Sequence, residues 1–514
     1  MSKKIAQIMQ KFIMSNPDRA LKFFASRSAE WWEKQGEKKA LETFHEAAEK
    51  VPAYRDFLIK NGIKDHTKIQ TIEDFKKYIP ITTKENYILA YPFKDRLIVP
   101  YENLFTISTT SGTTGEPVYW PRLGMQDKMF SYFYEMILRN MWQIHKIPTL
   151  VIVGLSLGNY IAGELNTFCW KEIALRNKNK ITVVTPGSDI EGILEILKEF
   201  IDKYEQIIII SYPSLLKLLL DEGEKEGINW QRYKIRWLYG GELCPRKLLE
   251  KIKEKILGKK IDYSFAFTAY GAADAAGGIG FANPFTVIVN ELLEQYSKLK
   301  NELGLEREDI YSEVSLCQLN TLTYFVEEVD ERLTITFNGA VPLVRYNIKD
   351  IGKIIPFTQL ITVFEKEKIN IFEILKEKIP YYYVFKQPLL NIVGRDSAIS
   401  LDGANVFPSQ IAEIIESSPW FNSFKISKKI LEDGNSKFVV YLELKDEKKP
   451  SQEEVEKLKI EYHDKILNYL LKINTDFRKS YHDNLKLCDP EIVIRKFREL
   501  EFAPSKSGKI KYVI

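Results

Sequence analysis

The chain has 514 residues, with 74 Lys+Arg against 70 Asp+Glu and a formal charge of +4. Hydrophobic residues make up 45% and charged residues 28%, which excludes a disordered or collagen-like chain. A charge this near balance gives no reason to expect a nucleic-acid partner. At roughly 150 residues per domain, two or three domains are expected.

The first residues, MSKKIAQIMQKFIMSNPDRA, are too polar for a signal peptide. Asn16 to Lys60 reads as helical, with apolar residues at three-to-four spacing. The most apolar window, Thr149 to Gly163, is interrupted by Gly154, Gly158 and Asn159 and is too short to span a bilayer. Within it LVIVGLSLG reads as a buried strand, followed by the strand ITVVTPG. Ser188 to Glu191 reads as a capping box opening the helix GILEILKEFIDKY. Then come the apolar strand QIIIIS, the helix YPSLLKLLLDEGEKEG, the strand KIRWLY, the helix CPRKLLEKIKEKIL and the strand YSFAF. This alternation predicts a parallel sheet covered by helices.

From Leu316 to Ile355 short alternating strands (TLTYFVEEV, RLTITF, KIIPF) predict antiparallel pairing. A charged stretch, Phe364 to Lys386, precedes NIVGRDSAISLDGANVFPSQ. The helix SQIAEIIESS, a hairpin, a long helix from Ser451 to about Ile473 and the strand EIVIRKF complete a compact α+β unit. The four cysteines, Cys169, Cys244, Cys317 and Cys488, lie far apart and read as reduced thiols of a cytoplasmic protein. The expected architecture is a large α/β domain over residues 1–395, with a helical portion at 1–100, and a small α+β domain over 396–514.

Six motifs have the chemistry to form a site. Ser108-Thr-Thr-Ser-Gly-Thr-Thr-Gly-Glu-Pro117 can wrap a polyphosphate, because glycines admit backbone N–H groups to the anion and hydroxyls donate further bonds. Tyr239-Gly-Gly-Glu-Leu-Cys244 ends a predicted parallel strand, where open α/β sheets bind ligands. Tyr270-Gly-Ala-Ala-Asp274 is expected just after a strand; its Tyr could stack on a base and its Asp ligate a hard cation. In Arg345-Tyr-Asn-Ile-Lys-Asp350 the Asp, expected at a strand end, could accept ribose hydroxyls while Arg345 faced phosphate. Gly394-Arg395-Asp396 with Asp402-Gly-Ala-Asn-Val-Phe-Pro408 falls at the domain junction, and Pro504-Ser-Lys-Ser-Gly-Lys509 lies near the C-terminus. Taken singly each is explained by an ordinary turn, a surface ion pair or a solvated tail. Six unrelated turns do not explain their joint order and spacing.

In that order the motifs resemble those of the adenylate-forming superfamily of acyl-CoA synthetases, adenylation domains and luciferases, and most of all its phenylacetate-CoA ligase-like branch. RYNIKD is similar to the RYRTRD of that branch, and the resemblance runs from roughly Ala47 to the C-terminus. It implies an ATP-dependent ligase that joins an organic acid to AMP, releasing pyrophosphate, and passes the acyl group to the thiol of CoA. It implies a small C-terminal domain that is mobile. By the resemblance Ser111, Gly112, Thr113, Thr114 and Gly115 hold pyrophosphate. Tyr270 and Gly271 lie at adenine with Gly240, Gly241 and Glu242, Asp274 with Thr113 or Thr114 holds Mg²⁺, and Asp350 takes the ribose. Arg395 contacts ribose or phosphate, Lys509 stabilises charge in the first step, and Gly403 leaves room for pantetheine in the second. A homodimer is what the relatives suggest.

The chain departs from the pattern in several places. Asp274 stands where Glu is usual, the phosphate loop lacks the common Lys, and one residue is missing between Arg395 and Gly403. Helices are added at the N-terminus, and an aromatic-rich addition lies between Asp350 and Gly394, covering either the acyl pocket or an interface between subunits. The small residues of Ala272 to Gly278 point to a roomy pocket for an aryl or longer acyl group. Two alternatives are an adenylating enzyme serving a carrier-protein pantetheine or an amine, and a non-catalytic nucleotide-binding protein of the same fold.

Overall fold

The computed structural model describes residues 16–110, 118–176, 178–241, 244, 246–305, 316–395, 398–406, 408–416, 418–431, 436–502 and 513–514. The N-terminal segment forms helices Pro17–Ala25, Ala29–Lys50 and Pro52–Lys60. Asn16 and Ser28 cap the first two by accepting the N–H of Arg19 and Trp31, and Pro17 and Pro52 occupy first-turn positions. Trp32, Gly36, Ala40, Phe44 and Ala47 recur every three to four residues and form the buried stripe of the second helix.

The strands of the large unit, in chain order, begin with a hairpin of β1 (Thr106–Thr110) and β2 (Val118–Arg122). Then follow β3 (Thr149–Gly154), β4 (Ile181–Val184), β5 (Gln206–Ser211), β6 (Ile235–Tyr239), β7 (Ala266–Ala272), β8 (Gly277–Phe281) and β9 (Leu316–Leu319). β10 (Tyr324–Val329), β11 (Arg332–Phe337), β12 (Leu343–Ile355) and β13 (Leu389–Arg395) complete the set. Among the described residues β3 to β13 make one eleven-stranded sheet, in the order β10-β11-β12-β13-β9-β8-β7-β6-β5-β3-β4. The β4-β3-β5-β6-β7 half is parallel. β3 and β5 are buried at every position, as uninterrupted apolar runs between two helical layers must be. The remaining pairings are antiparallel.

β13 ends at Arg395, and β14 (Ile399–Leu401) opens the small unit by pairing with β15 (Ala404–Val406). β16 (Phe421–Ile430), β17 (Ser436–Leu444) and β18 (Glu491–Arg495) form its sheet, antiparallel and then parallel. Helix Gln452–Ile473 begins at a reciprocal Ser451–Glu454 capping box. Its buried Leu458, Tyr462, Ile466 and Leu470 join Leu401, Ala404, Phe438 and Phe477 in a core separate from those of the large unit.

Three expectations need correction. The strand expected at YSFAF starts later and runs through Tyr270 to Ala272, so the first three residues of this motif are strand backbone and only Ala273 and Asp274 fall in the turn after it. Asp350 lies inside the 13-residue β12, not at a strand end. The addition after Ile355, to which the sequence assigns no element, forms helices Phe357–Lys366 and Ile371–Lys378. Both helices pack on helix Pro284–Gln295, and Tyr383 exchanges two hydrogen bonds with the Asn140 side chain. Finally, Asp189 and not Ser188 caps helix Ile190–Phe200, accepting the Gly192 N–H at 3.2 Å; the Ser188 hydroxyl points to the small unit instead.

Candidate active site

The β1–β2 hairpin brackets Ser111 to Pro117. Ser111, Gly112, Thr113, Thr114 and Gly115 lie outside the described residues, but the scaffold on both sides of them is described. Thr109 donates its N–H to the Asn159 carbonyl at 3.0 Å, which ties β1 to the loop after β3. Ser108 is buried and its hydroxyl faces Glu164 at 3.4 Å. On β2 the fully buried Arg122 donates to the same Glu164 carboxylate and lies 3.3 Å from Asp127. One guanidinium thus serves two carboxylates. Asp127 is only 1% exposed, and burial pushes its carboxyl up to about 7 against the pull of Arg122, with Glu164 adding to the rise. None of Arg122, Asp127 and Glu164 belongs to a glycine or hydroxyl motif. The sole cue was three charges on elements that otherwise read as core.

The Tyr270–Asp274 and Arg345–Asp350 motifs meet through two crossed tyrosine–aspartate pairs. Tyr270 on β7 donates its hydroxyl to Asp350 on β12 at 2.5 Å. Tyr346 on β12 donates to Asp274, just past β7, at 2.7 Å. Three strands, β13, β9 and β8, separate β7 from β12 in the sheet, so the sheet must curl to close these contacts. Asp350 is buried. Gly271 permits the bend: a Cβ there would stand 2.4 Å from the Gly277 carbonyl oxygen. Asp350 also lies opposite Arg395 in the β12–β13 register; the Arg395 side chain is outside the described set.

Arg345 does not face this site. It is buried, with Glu327 carboxylate oxygens 3.1 Å from Nε and Nη2 and the Lys76 and Ile79 carbonyls 2.6 Å from Nη1. Burial raises the Glu327 carboxyl while Arg345 pulls it down. The side chain is a structural cation that joins the N-terminal helices to the sheet, which corrects the expectation that it meets phosphate.

Gly240 and Gly241 follow β6. Glu242 is outside the described residues. A Cβ on Gly241, whose φ is +82°, would lie 2.8 Å from the Tyr212 ring, and one on Gly403, with φ +86°, 3.2 Å from it. Both positions favour glycine on backbone grounds as well. Tyr212 follows β5, so the β14–β15 hairpin of the small unit sits on the carboxyl ends of β5 and β6, and Ser400 donates to the Gly241 carbonyl at 3.4 Å. Lys509 lies outside the described residues. Nearby, the chain end is fixed to β16, with Ser427 donating to the Ile514 carbonyl at 2.6 Å.

The architecture is thus a large mixed sheet, a hairpin beside it and a small unit seated on the parallel strand ends. No family model matches the chain. It is 22% identical to the phenylacetate-coenzyme A ligase of Aromatoleum evansii over 377 residues, 73% of this chain and 72% of that one. It is likewise 22% identical to the phenylacetate-coenzyme A ligase of Escherichia coli (strain K12), covering 73% of each. Among solved structures, 2-hydroxyisobutyryl-CoA ligase in complex with 2-HIB-AMP and CoA in the thioesterification state superposes with a TM-score of 0.60 at 16% identity, over 95% of this chain and 90% of that one. The chain therefore shares its fold with 2-hydroxyisobutyryl-CoA ligase.

Proposed function

We propose that the protein is an AMP-forming acid–thiol ligase. A carboxylate oxygen of the acid attacks the α-phosphorus of ATP and pyrophosphate leaves; the CoA thiol then attacks the acyl carbon, AMP leaves, and the thiol proton passes to solvent. A carboxylate is already a nucleophile at neutral pH, so the first step needs position and charge stabilisation more than a base. The observation that carries this reading is the crossed Tyr270–Asp350 and Tyr346–Asp274 contact, which unites two motifs separated by 80 and 72 residues.

On this reading Asp350 accepts the ribose hydroxyls with Arg395 beside it. Ser111, Gly112, Thr113, Thr114 and Gly115 hold the departing pyrophosphate, and Tyr270, Gly271, Gly240, Gly241 and Glu242 border adenine. Asp274 suits Mg²⁺, which commonly takes one or two protein carboxylates and draws its other ligands from phosphate and water. Thr113 or Thr114 would assist, and the ion would neutralise phosphate charge. Lys509 brings an ammonium to the α-phosphate. The rings of Phe130 and Phe281 and the side chain of Leu165 press on Gly277 and Gly278, which supports an apolar acyl group, aryl or longer. The acceptor is CoA, held beyond Gly403.

The test is a panel of acids, including phenylacetate and 2-hydroxyisobutyrate, read by pyrophosphate release and then by AMP release with CoA, a carrier protein or an amine. Acid-dependent pyrophosphate release and CoA-dependent AMP release are expected. Lys509→Ala should lower the first by orders of magnitude and leave thiolysis of supplied acyl-AMP intact. Equal loss of both half-reactions refutes the scheme.

A further inference from the structure

Thioester formation requires the Gly403 hairpin to be held on the strand ends, and helix Thr475–Asp483, outside every motif above, carries a face suited to that. Asp476, Lys479 and Asp483 are spaced i, i+3 and i+7 and share one side of the helix. All three meet the large unit. Lys479 Nζ stands 4.4 Å from the centroid of the Tyr160 ring. Asp476 is hydrogen-bonded to the same tyrosine, whose hydroxyl pKa is raised first by burial and then by Asp476 and Asp483. Ser188 donates to Asp483 at 3.4 Å.

The helix is also fastened to the hairpin it would steady. Ser480 donates its hydroxyl to the carbonyl of Asp402, the residue before Gly403, at 2.9 Å. Asn474, which caps the helix, donates to the Asn405 carbonyl at 3.0 Å. Its target on the large unit is equally placed: Tyr160 follows Asn159, whose carbonyl binds β1 at the edge of the phosphate hairpin. The ring of Tyr160 thus links the small unit's helix to the scaffold of the nucleotide site.

We infer that the Asp476–Lys479–Asp483 face docks the small unit on Tyr160 and Ser188 during thioester formation, with Lys479 a positioning residue for that half-reaction. The inference rests on the two-step ligase reading. The contact is made while the Gly403 hairpin lies against Tyr212 on the strand ends, so the inference assigns it to the second step.

The experiment supplies phenylacetyl adenylate and CoA to the full chain and, separately, follows phenylacetate-dependent ATP–pyrophosphate exchange. Lys479→Ala should slow thioester formation about tenfold, the scale of a partly desolvated cation–π contact, with exchange unchanged. Tyr160→Leu should match it in thioester formation, and Lys479→Arg should restore the rate because guanidinium also stacks on rings. Equal slowing of both half-reactions, or none, overturns the inference. A second measurement needs no substrate. Spin labels at Glu199→Cys and Lys457→Cys, both on exposed side chains, report the distance between units, with Cys244→Ser removing the half-buried native thiol. A narrow distribution that broadens on Lys479→Ala is expected, and an unaltered one overturns the docking role whatever the acid. Absence of acid-dependent exchange across the whole panel in the unsubstituted chain overturns the ligase reading instead.

Discussion

Asp127 offers the sharpest quantitative prediction, because its cost is set by burial beside a guanidinium it must share. Its carboxyl is raised to about 7 from an ordinary value of 3.8. The folded chain therefore binds more protons than the unfolded chain between those values. Stability contributed by this group is full below pH 4 and is lost as pH rises to about 7, then stays level. Each pK unit is worth about 1.4 kcal/mol, so the interval from pH 5.5 to 7 corresponds to a loss of about 2 kcal/mol. Asp127→Asn keeps the shape and removes the proton equilibrium. Losing the contact with Arg122 adds an offset of either sign, but that offset does not vary with pH. Urea unfolding by tryptophan fluorescence at pH 5.5 and 8.5 reads the difference. Of eight tryptophans only Trp420 lies in the small unit, so the signal reports the large one. The variant should gain about 2 kcal/mol on the parent between the two pH values. Parallel pH profiles would show that Asp127 is ionised throughout and that the ion pair with Arg122 outweighs its burial.

Three other perturbations separate roles that the motifs alone confuse. Arg345→Met should destabilise the large unit by about 3–5 kcal/mol by leaving Glu327 buried without its cation; a stable variant with selectively weakened nucleotide binding, by calorimetry, would return Arg345 to the site. Asp350→Ala should weaken ATP binding about 10- to 100-fold through lost charge-assisted hydrogen bonds, and Tyr270→Phe, which removes only the phenol donor, should cost less; unchanged affinity removes the ribose assignment. Gly403→Ala places a Cβ 3.2 Å from the Tyr212 ring at φ +86°, a backbone penalty of about 1–2 kcal/mol. It should slow thioester formation more than pyrophosphate release, with partial relief in Tyr212→Leu; no relief would mean the hairpin does not work against that ring.

The architecture was legible where local signals agree with burial. QIIIIS could only be a strand covered on both faces, and Ser451 three residues before Glu454 marked the long helix by chemistry that acts within one turn. Ser188 shows the limit. Ser188 and Asp189 are both capping residues, and the contact with Asp483 that engages Ser188 comes from 295 residues away. The same limit applies at the site. The six motifs marked which segments matter, yet the pairing of Tyr270 with Asp350 depends on a curl over several strands that no window of sequence contains. Arg345 did leave a trace. Tyr346, Ile348 and Asp350 share a strand face by parity, and Arg345 falls on the other. Its partner Glu327 lies in a different strand, so parity can say that Arg345 leaves the site but not where it goes.

The choice of phenols as partners has a consequence for the order of the two reactions. Asp274 and Asp350 are each oriented by a neutral hydroxyl, which fixes the carboxylates without cancelling their charge. Such carboxylates keep the negative charge that the proposed cation and ribose contacts need. Two other arginines of these motifs and their scaffold are engaged elsewhere, Arg345 on Glu327 and Arg122 on Glu164 and Asp127. On the proposed reading, positive charge at the α-phosphate comes from the metal and from Lys509 of the small unit. In that scheme the first step waits on the small unit bringing Lys509 to the phosphates. The second waits on the Gly403 hairpin, with the proposed Lys479 contact behind it, taking that place.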